Sequence, residues 1–107
     1  MVVKAINNKA EWDALLAEGK PVLVDFYATW CGPCKVISPM FEQHSENPAY
    51  KDVVTFAKID VDAVPDVAAE LGIRAMPTFL LFKDGKKVDE MLGANPQGLQ
   101  GLVQKAV

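Results

Sequence analysis

Apolar residues along the chain recur with two periods, one near two residues and one near 3.6, and the switches between them mark out the elements. Val2 to Ile6 reads as a short strand. Asn8 followed by Glu11 has the form of a capping box, in which the two side chains satisfy free N–H groups at a helix start. Trp12, Leu15 and Leu16 then share one helical face, and Gly19 and Pro21 end the element. Val22-Leu23-Val24-Asp25-Phe26-Tyr27-Ala28 is a nearly unbroken apolar run of strand length, which suits a strand covered on both faces. Its one carboxylate, Asp25, is out of place there.

A helix is expected to begin around Cys31, with Pro33 in its first turn and Val36, Ile37, Met40 and Phe41 facing inward. Pro39 falls inside that helix and should kink it. Val53 to Val61 reads as a second buried strand, followed by a helix with Val64, Val67, Ala68 and Leu71 on one face and Gly72 as its stop. Thr78 to Phe82 and Lys87 to Leu92 form a hairpin around Asp84-Gly85, a dipeptide suited to a tight primed turn. Asn95 caps a last helix, Pro96 enters it, and Leu99, Leu102, Val103 and Ala106 make its apolar stripe. The predicted order β-α-β-α-β-α-β-β-α is that of an α/β fold whose first strands are joined by crossovers and whose last two form a hairpin.

Composition agrees with a globular chain: half of the residues are hydrophobic and 23% are charged. Residues 1–107 are expected to form a single domain, and a monomer is expected for a chain of this size. A net charge of −3, with no basic run longer than Lys86-Lys87, argues against nucleic acid and anionic membranes as partners. No apolar run has the length of a signal peptide's core or of a bilayer span, so a cytoplasmic location is expected. Thiols are kept reduced there, and two cysteines at positions 31 and 34 then need a reason.

A cycling dithiol needs a nucleophilic sulfur, a partner close enough to close a ring, and little strain in either state. Cys31-Gly32-Pro33-Cys34 at a strand-to-helix junction meets these demands. Backbone N–H groups and the helix dipole favour a thiolate on Cys31, while Cys34 lies one turn inside and is shielded. Gly32 permits the tight turn and Pro33 stiffens it, so this pair should tune which redox form is favoured. Structural zinc would need four ligands, yet the only other candidate is His44. Haem attachment would need His where Lys35 stands. An inert bridge closing so short a loop would add little stability. No metal site is expected.

Ala28-Thr29-Trp30-Cys31-Gly32-Pro33-Cys34-Lys35, Asp25 on the preceding strand, Met76-Pro77-Thr78 and Gly93-Ala94 occur in an order and at separations that resemble the thioredoxin family across the whole chain. Ile59-Asp60-Val61-Asp62 and Leu92-Gly93-Ala94-Asn95 are similar to its eukaryotic cytosolic type. The resemblance implies the thioredoxin fold, a central mixed five-stranded sheet flanked by four helices. It also implies that Asp25 takes the proton of Cys34 through a water. Lys58, on the neighbouring buried strand, is the candidate partner for that carboxylate. By the same resemblance the Met76-Pro77 bond is cis, Met76 offers backbone groups to substrate, and Trp30, Gly32, Pro33, Met76, Pro77, Thr78, Gly93 and Ala94 surround the binding surface. Plainer readings compete: Asp25 at an exposed strand end, a trans proline at Pro77, Trp30 as core filler, and Gly93 as a strand stop. His44 is assigned no chemistry. Tyr27 departs from the family, where many members carry Trp, and the segment Asn47-Pro48-Ala49-Tyr50 lengthens a loop.

The function implied is reduction of protein disulfides by a reversible Cys31–Cys34 dithiol, within electron transport and cell redox homeostasis. No cofactor is expected on the chain, which lacks G-x-G-x-x-G. Reducing equivalents would come from NADPH through thioredoxin reductase, and the other partners would be diverse disulfide-containing proteins. Two alternatives stay open: an isomerase-like oxidant on the same fold, and a redox-gated binding module.

Overall fold

The structure, a computed structural model, describes residues 2–107. Its elements are β1 (Lys4–Ala5), α1 (Lys9–Ala17), β2 (Val22–Tyr27), α2 (Gly32–Glu46), β3 (Thr55–Asp60), α3 (Pro65–Glu70), β4 (Thr78–Lys83), β5 (Lys86–Leu92) and α4 (Pro96–Ala106). The five strands form one mixed sheet in the order β1-β3-β2-β4-β5. β3 runs parallel to β1 and β2, whereas β4 is antiparallel to β2 and β5. Order, sheet type and helix number agree with the sequence reading.

Period-two alternation divides the side chains of the sheet between two cores. Leu23, Phe56, Phe79 and Leu81 meet Ile37 and Phe41 of α2 and Leu99, Leu102 and Val103 of α4. Val22, Val24, Phe26, Ile59 and Leu80 meet Trp12 and Leu15 of α1 and Val67 of α3 on the other face. β2, hydrogen-bonded on both edges and covered on both faces, is the buried centre.

Local signals held where they were chemical. The Glu11 N–H donates to Asn8 Oδ1 at 2.8 Å, but the reciprocal bond comes from the Asn7 N–H to Glu11 Oε1, one residue earlier than a capping box has it. Asp84 and Gly85 both take positive φ, 54° and 78°, as a primed hairpin turn requires. The Gly98 N–H donates to Asn95 Oδ1, capping α4.

Boundaries moved where tertiary pairing decided them. β1 is shorter than Val2 to Ile6 because it is an edge strand with β3 as its one neighbour. β3 starts at Thr55, since the N–H groups of Val53 and Val54 both turn back to the Tyr50 carbonyl, at 3.0 and 2.9 Å. The inward-facing assignment of Val36 and Met40 is corrected: Val36 is 67% exposed and Met40 is also exposed. Helix α2 packs along Cys34, Ile37, Phe41 and Ser45. Val36 and Met40 lie about 100° around the axis from Ile37 and Phe41, on the solvent side.

Phe41 anchors α2, its ring 5.5 Å from each of Phe56 and Phe79. Phe41→Ala should therefore lose about 3–5 kcal/mol of stability, whereas Val36→Ala should stay within about 0.5 kcal/mol. Denaturant unfolding of both variants checks the assignment; equal losses would refute this packing of α2.

Candidate active site

The dithiol is built by the hand-over from β2 to α2. After Tyr27 the chain turns, the Cys31 N–H donates to the Ala28 carbonyl at 3.2 Å, and Cys31 becomes the N-cap of α2. Its sulfur occupies the place of a capping oxygen and accepts the Cys34 N–H at 3.2 Å. Free N–H groups and the positive end of the helix dipole converge on that atom, an arrangement that stabilises a thiolate once the pair is reduced. Cys31 and Cys34 are disulfide-bonded, with Cα atoms 5.3 Å apart.

Both cysteines are buried, so their difference lies in what each faces. Cys31 Sγ lies 3.6 Å from the Met76 carbonyl oxygen, beside the Met76–Pro77 bond, which is cis as the resemblance implied. Cys34 lines a cavity of about 540 Å³ on the other side, with Asp25, Tyr27, Ala28, Thr29, Lys35, Ser38, Pro39 and Lys58. One sulfur addresses the outer loop and the other a half-open pocket, whose rim includes the exposed Thr29, Lys35 and Pro39.

Asp25 is 3% exposed, which removes the reading of an exposed strand end. Its Oδ1 has no hydrogen-bond partner among the described residues. Burial pushes this carboxyl from its ordinary 3.8 up to about 7, against the opposing pull of the Lys58 charge. Lys58 stands directly opposite Asp25 in the β2–β3 register. Lys58 is thus a partner to Asp25 by its charge and not by contact, because no ion pair joins the two among the described residues. The Lys58 ammonium lies 6.0 Å from the centre of the Tyr27 ring, so Lys58 acts on Asp25 through space.

Around Cys31 the expected surface comes together from three places. Trp30 is 68% exposed, not core filler, and its Nε1–H donates to Asp62 Oδ2 at 2.9 Å, which fixes the indole at the rim. Gly32 and Pro33 are exposed in the first turn of α2. The Gly93 N–H donates to the Pro77 carbonyl at 2.9 Å, drawing Gly93 and Ala94 beside the cis-proline loop. Gly93 also ends β5 at a φ of 89°, so the strand-stop reading holds together with the rim placement. Thr78 is buried and its hydroxyl donates to the Ala75 carbonyl, so its side chain braces the loop. His44 is half-buried against Tyr50, away from the dithiol.

Sequence reasoning missed two contributors. Tyr27 carries a legible signal, two residues from Asp25 on one strand and hence on the same face. Asp62 carries none, because its contact with Trp30 spans 32 positions of sequence. Among the described residues no cluster of three or more His, Cys, Asp or Glu side chains could hold a metal ion.

Comparison with known proteins bears on the same residues. The family model described as Thioredoxin matches residues 3–105. A thioredoxin of Coprinus comatus is 52% identical over 106 residues, 99% of each chain. A thioredoxin H-type of Chlamydomonas reinhardtii is 54% identical over 107 residues, 96% of this chain and 93% of its own. Among solved structures, a thioredoxin of Malassezia sympodialis superposes with a TM-score of 0.92 at 46% identity, covering 97% of this chain and 90% of that one. With its disulfide-bonded Cys31 and Cys34 as the redox pair, the chain belongs to the thioredoxin family of protein thiol-disulfide oxidoreductases.

Proposed function

We propose that this chain works as a single domain in the reducing direction, with Cys31 as attacker, Cys34 as resolver and Asp25 as proton acceptor. The observation that carries this reading is the opposed outlook of the two sulfurs, one toward the rim and one toward the pocket with the unpartnered carboxylate. In the reduced protein the Cys31 thiolate attacks one sulfur of a substrate disulfide. A mixed disulfide forms and the first substrate thiolate leaves. Asp25 takes the proton of Cys34 across a cavity with ample room for a water relay. The Cys34 thiolate then attacks Cys31 Sγ, breaking its bond to the substrate sulfur, which leaves as the second substrate thiolate, and closing the Cys31–Cys34 bond. Two electrons pass to the substrate for each disulfide formed on the protein.

Trp30, Gly32, Pro33, Met76, Pro77, Gly93 and Ala94 form the docking rim in this reading, with the Met76 backbone pairing to an extended substrate segment. Such contacts recognise a main chain and so admit diverse disulfide-containing proteins. Recharging draws on NADPH through thioredoxin reductase, with no cofactor resident on this chain. A cytoplasmic location agrees with that route; among the described residues no helix is long and apolar enough to cross a membrane. Gly32-Pro33 favours the reducing direction over an isomerase-like oxidant.

Three measurements test this. The dithiol potential, equilibrated against glutathione, should fall near the general thioredoxin value of about −270 mV; a value near −180 mV, typical of disulfide isomerases, would overturn the reductase direction. Cys34→Ser should accumulate covalent complexes with substrate proteins through Cys31, seen on non-reducing gels, and Cys31→Ser should not. Asp25→Asn should slow resolution of the mixed disulfide near neutral pH; an unchanged rate would remove Asp25 from the mechanism.

The same carboxyl predicts a pH dependence of stability. Its folded value near 7 lies above the ordinary 3.8, so the folded state binds a proton that the unfolded state has released in that window. Its favourable contribution is complete below about pH 4 and is lost as pH rises through 7. At pH 8 Asp25→Asn should be the more stable protein by on the order of 4 kcal/mol, and the gap should close toward pH 4. Urea unfolding across that range checks the sign; a pH-independent gap would refute it.

A further inference from the structure

Lys58 faces Asp25 across two strands in register, yet its ammonium is found at the Tyr27 ring. Geometry explains the choice. Tyr27 follows Asp25 by two residues on β2, so both side chains rise from one face of the sheet, and Lys58 rises from the same face of β3. All three line the pocket behind Cys34. A lysine in that position has two places for its charge, the carboxylate opposite and the electron-rich aromatic face beside it. A flexible four-carbon stem reaches either.

We propose that Tyr27 is a positioning residue, whose ring holds the Lys58 ammonium off the Asp25 carboxylate. The proposal rests on Asp25 exchanging the proton of Cys34, and it names what keeps that exchange possible. Were Lys58 to close on Asp25, the pair would lock the carboxylate in its charged, hydrogen-bonded form and leave a poor proton carrier. With Lys58 parked on the ring, its charge is near enough to moderate the effect of burial and too far to fix the proton's absence. Burial raises the Asp25 carboxyl to about 7 with the Lys58 charge opposing, which is the balance the parked arrangement implies.

Other charges face the same space and must share the account. From α2 come Cys34 and Lys35, both lining the cavity. On β3, Asp60 lies opposite Tyr27 in the register. Burial first, then Asp60 and Asp25, hold the Tyr27 phenol protonated, so the ring meets Lys58 as a neutral face. β4 places Phe79 opposite Asp25 and adds no charge. Tyr27 and Lys58 are thus the adjustable pair.

The test compares Tyr27→Leu with Tyr27→Phe in the whole chain. The Asp25 carboxyl is followed by carbon NMR across pH in the oxidised protein, and resolution by Cys34 is followed separately as a pH–rate profile. Tyr27→Leu frees Lys58, and the Asp25 midpoint should fall by about one pH unit, a tenfold loss of proton affinity. Tyr27→Phe keeps the ring and should leave the midpoint in place. In a Lys58→Met background the Leu substitution should lose its effect, because no ammonium remains to move. An unmoved midpoint in Tyr27→Leu overturns the proposal, as does a Phe variant that shifts as far as Leu. A Leu shift that persists without Lys58 overturns it too, since burial would then be the cause. If the midpoint falls as expected while the resolution profile stays put, Tyr27 positions Lys58 and it is Asp25 as proton acceptor that fails. Tyr27→Met serves in place of Tyr27→Leu if the latter does not fold.

Discussion

A strand that is paired on both edges and covered on both faces has no water to give its side chains, and β2 is that strand here. Val22, Leu23, Val24 and Phe26 fill two opposite cores from one backbone segment. A polar group carried by the strand is largely withdrawn from solvent, and burial is why Asp25, at the floor of the pocket it shares with Cys34, holds its proton to near neutrality. The end of the strand is equally constrained, because the crossover to β3 must pass through α2 over one face. Cys31 sits where that turn becomes helix. Burial of a carboxylate and exposure of helix-start N–H groups to a sulfur therefore follow from a single placement.

The cores on either side keep this placement exact to the scale the chemistry needs. Phe41 seats α2 against Phe56 and Phe79, and with it the depth of Cys34 relative to Asp25. On the other side Trp12 packs edge-on to Phe26 and Phe82, at 6.4 and 5.2 Å, so β2 and β4 are held together from behind. The loop after α3 is fixed in turn by the Gly93-to-Pro77 and Thr78-to-Ala75 bonds, which set the Met76 carbonyl beside Cys31. The two sulfurs are thereby held with Cys31 beside the loop and Cys34 at the pocket.

Electrostatics in this pocket is a matter of distances rather than of pairs. An ion pair between Asp25 and Lys58 would satisfy both charges and leave neither able to respond. The structure instead keeps a carboxylate oxygen with no hydrogen-bond partner among the described residues and a cation at an aromatic face. Such an arrangement costs stability at the pH where the carboxyl is charged.

Much of this was legible in the order of residues. The alternation of periods determined the element order and the sheet's mixed character, because a buried face imposes its own spacing on any strand or helix. Cys31-Gly32-Pro33-Cys34 at a strand end determined redox chemistry, since few other uses fit two cysteines with no further ligands. Asp25 announced itself as a charge among apolar neighbours. Only the tertiary structure decided that Val36 and Met40 face solvent, because four apolar positions on α2 were offered and the sheet could cover one stripe. It alone decided that Asp62 fixes Trp30 and that Lys58 lies over Tyr27. Those contacts join residues far apart in the chain, and a long side chain's choice between two nearby partners is written in distances that no local pattern encodes.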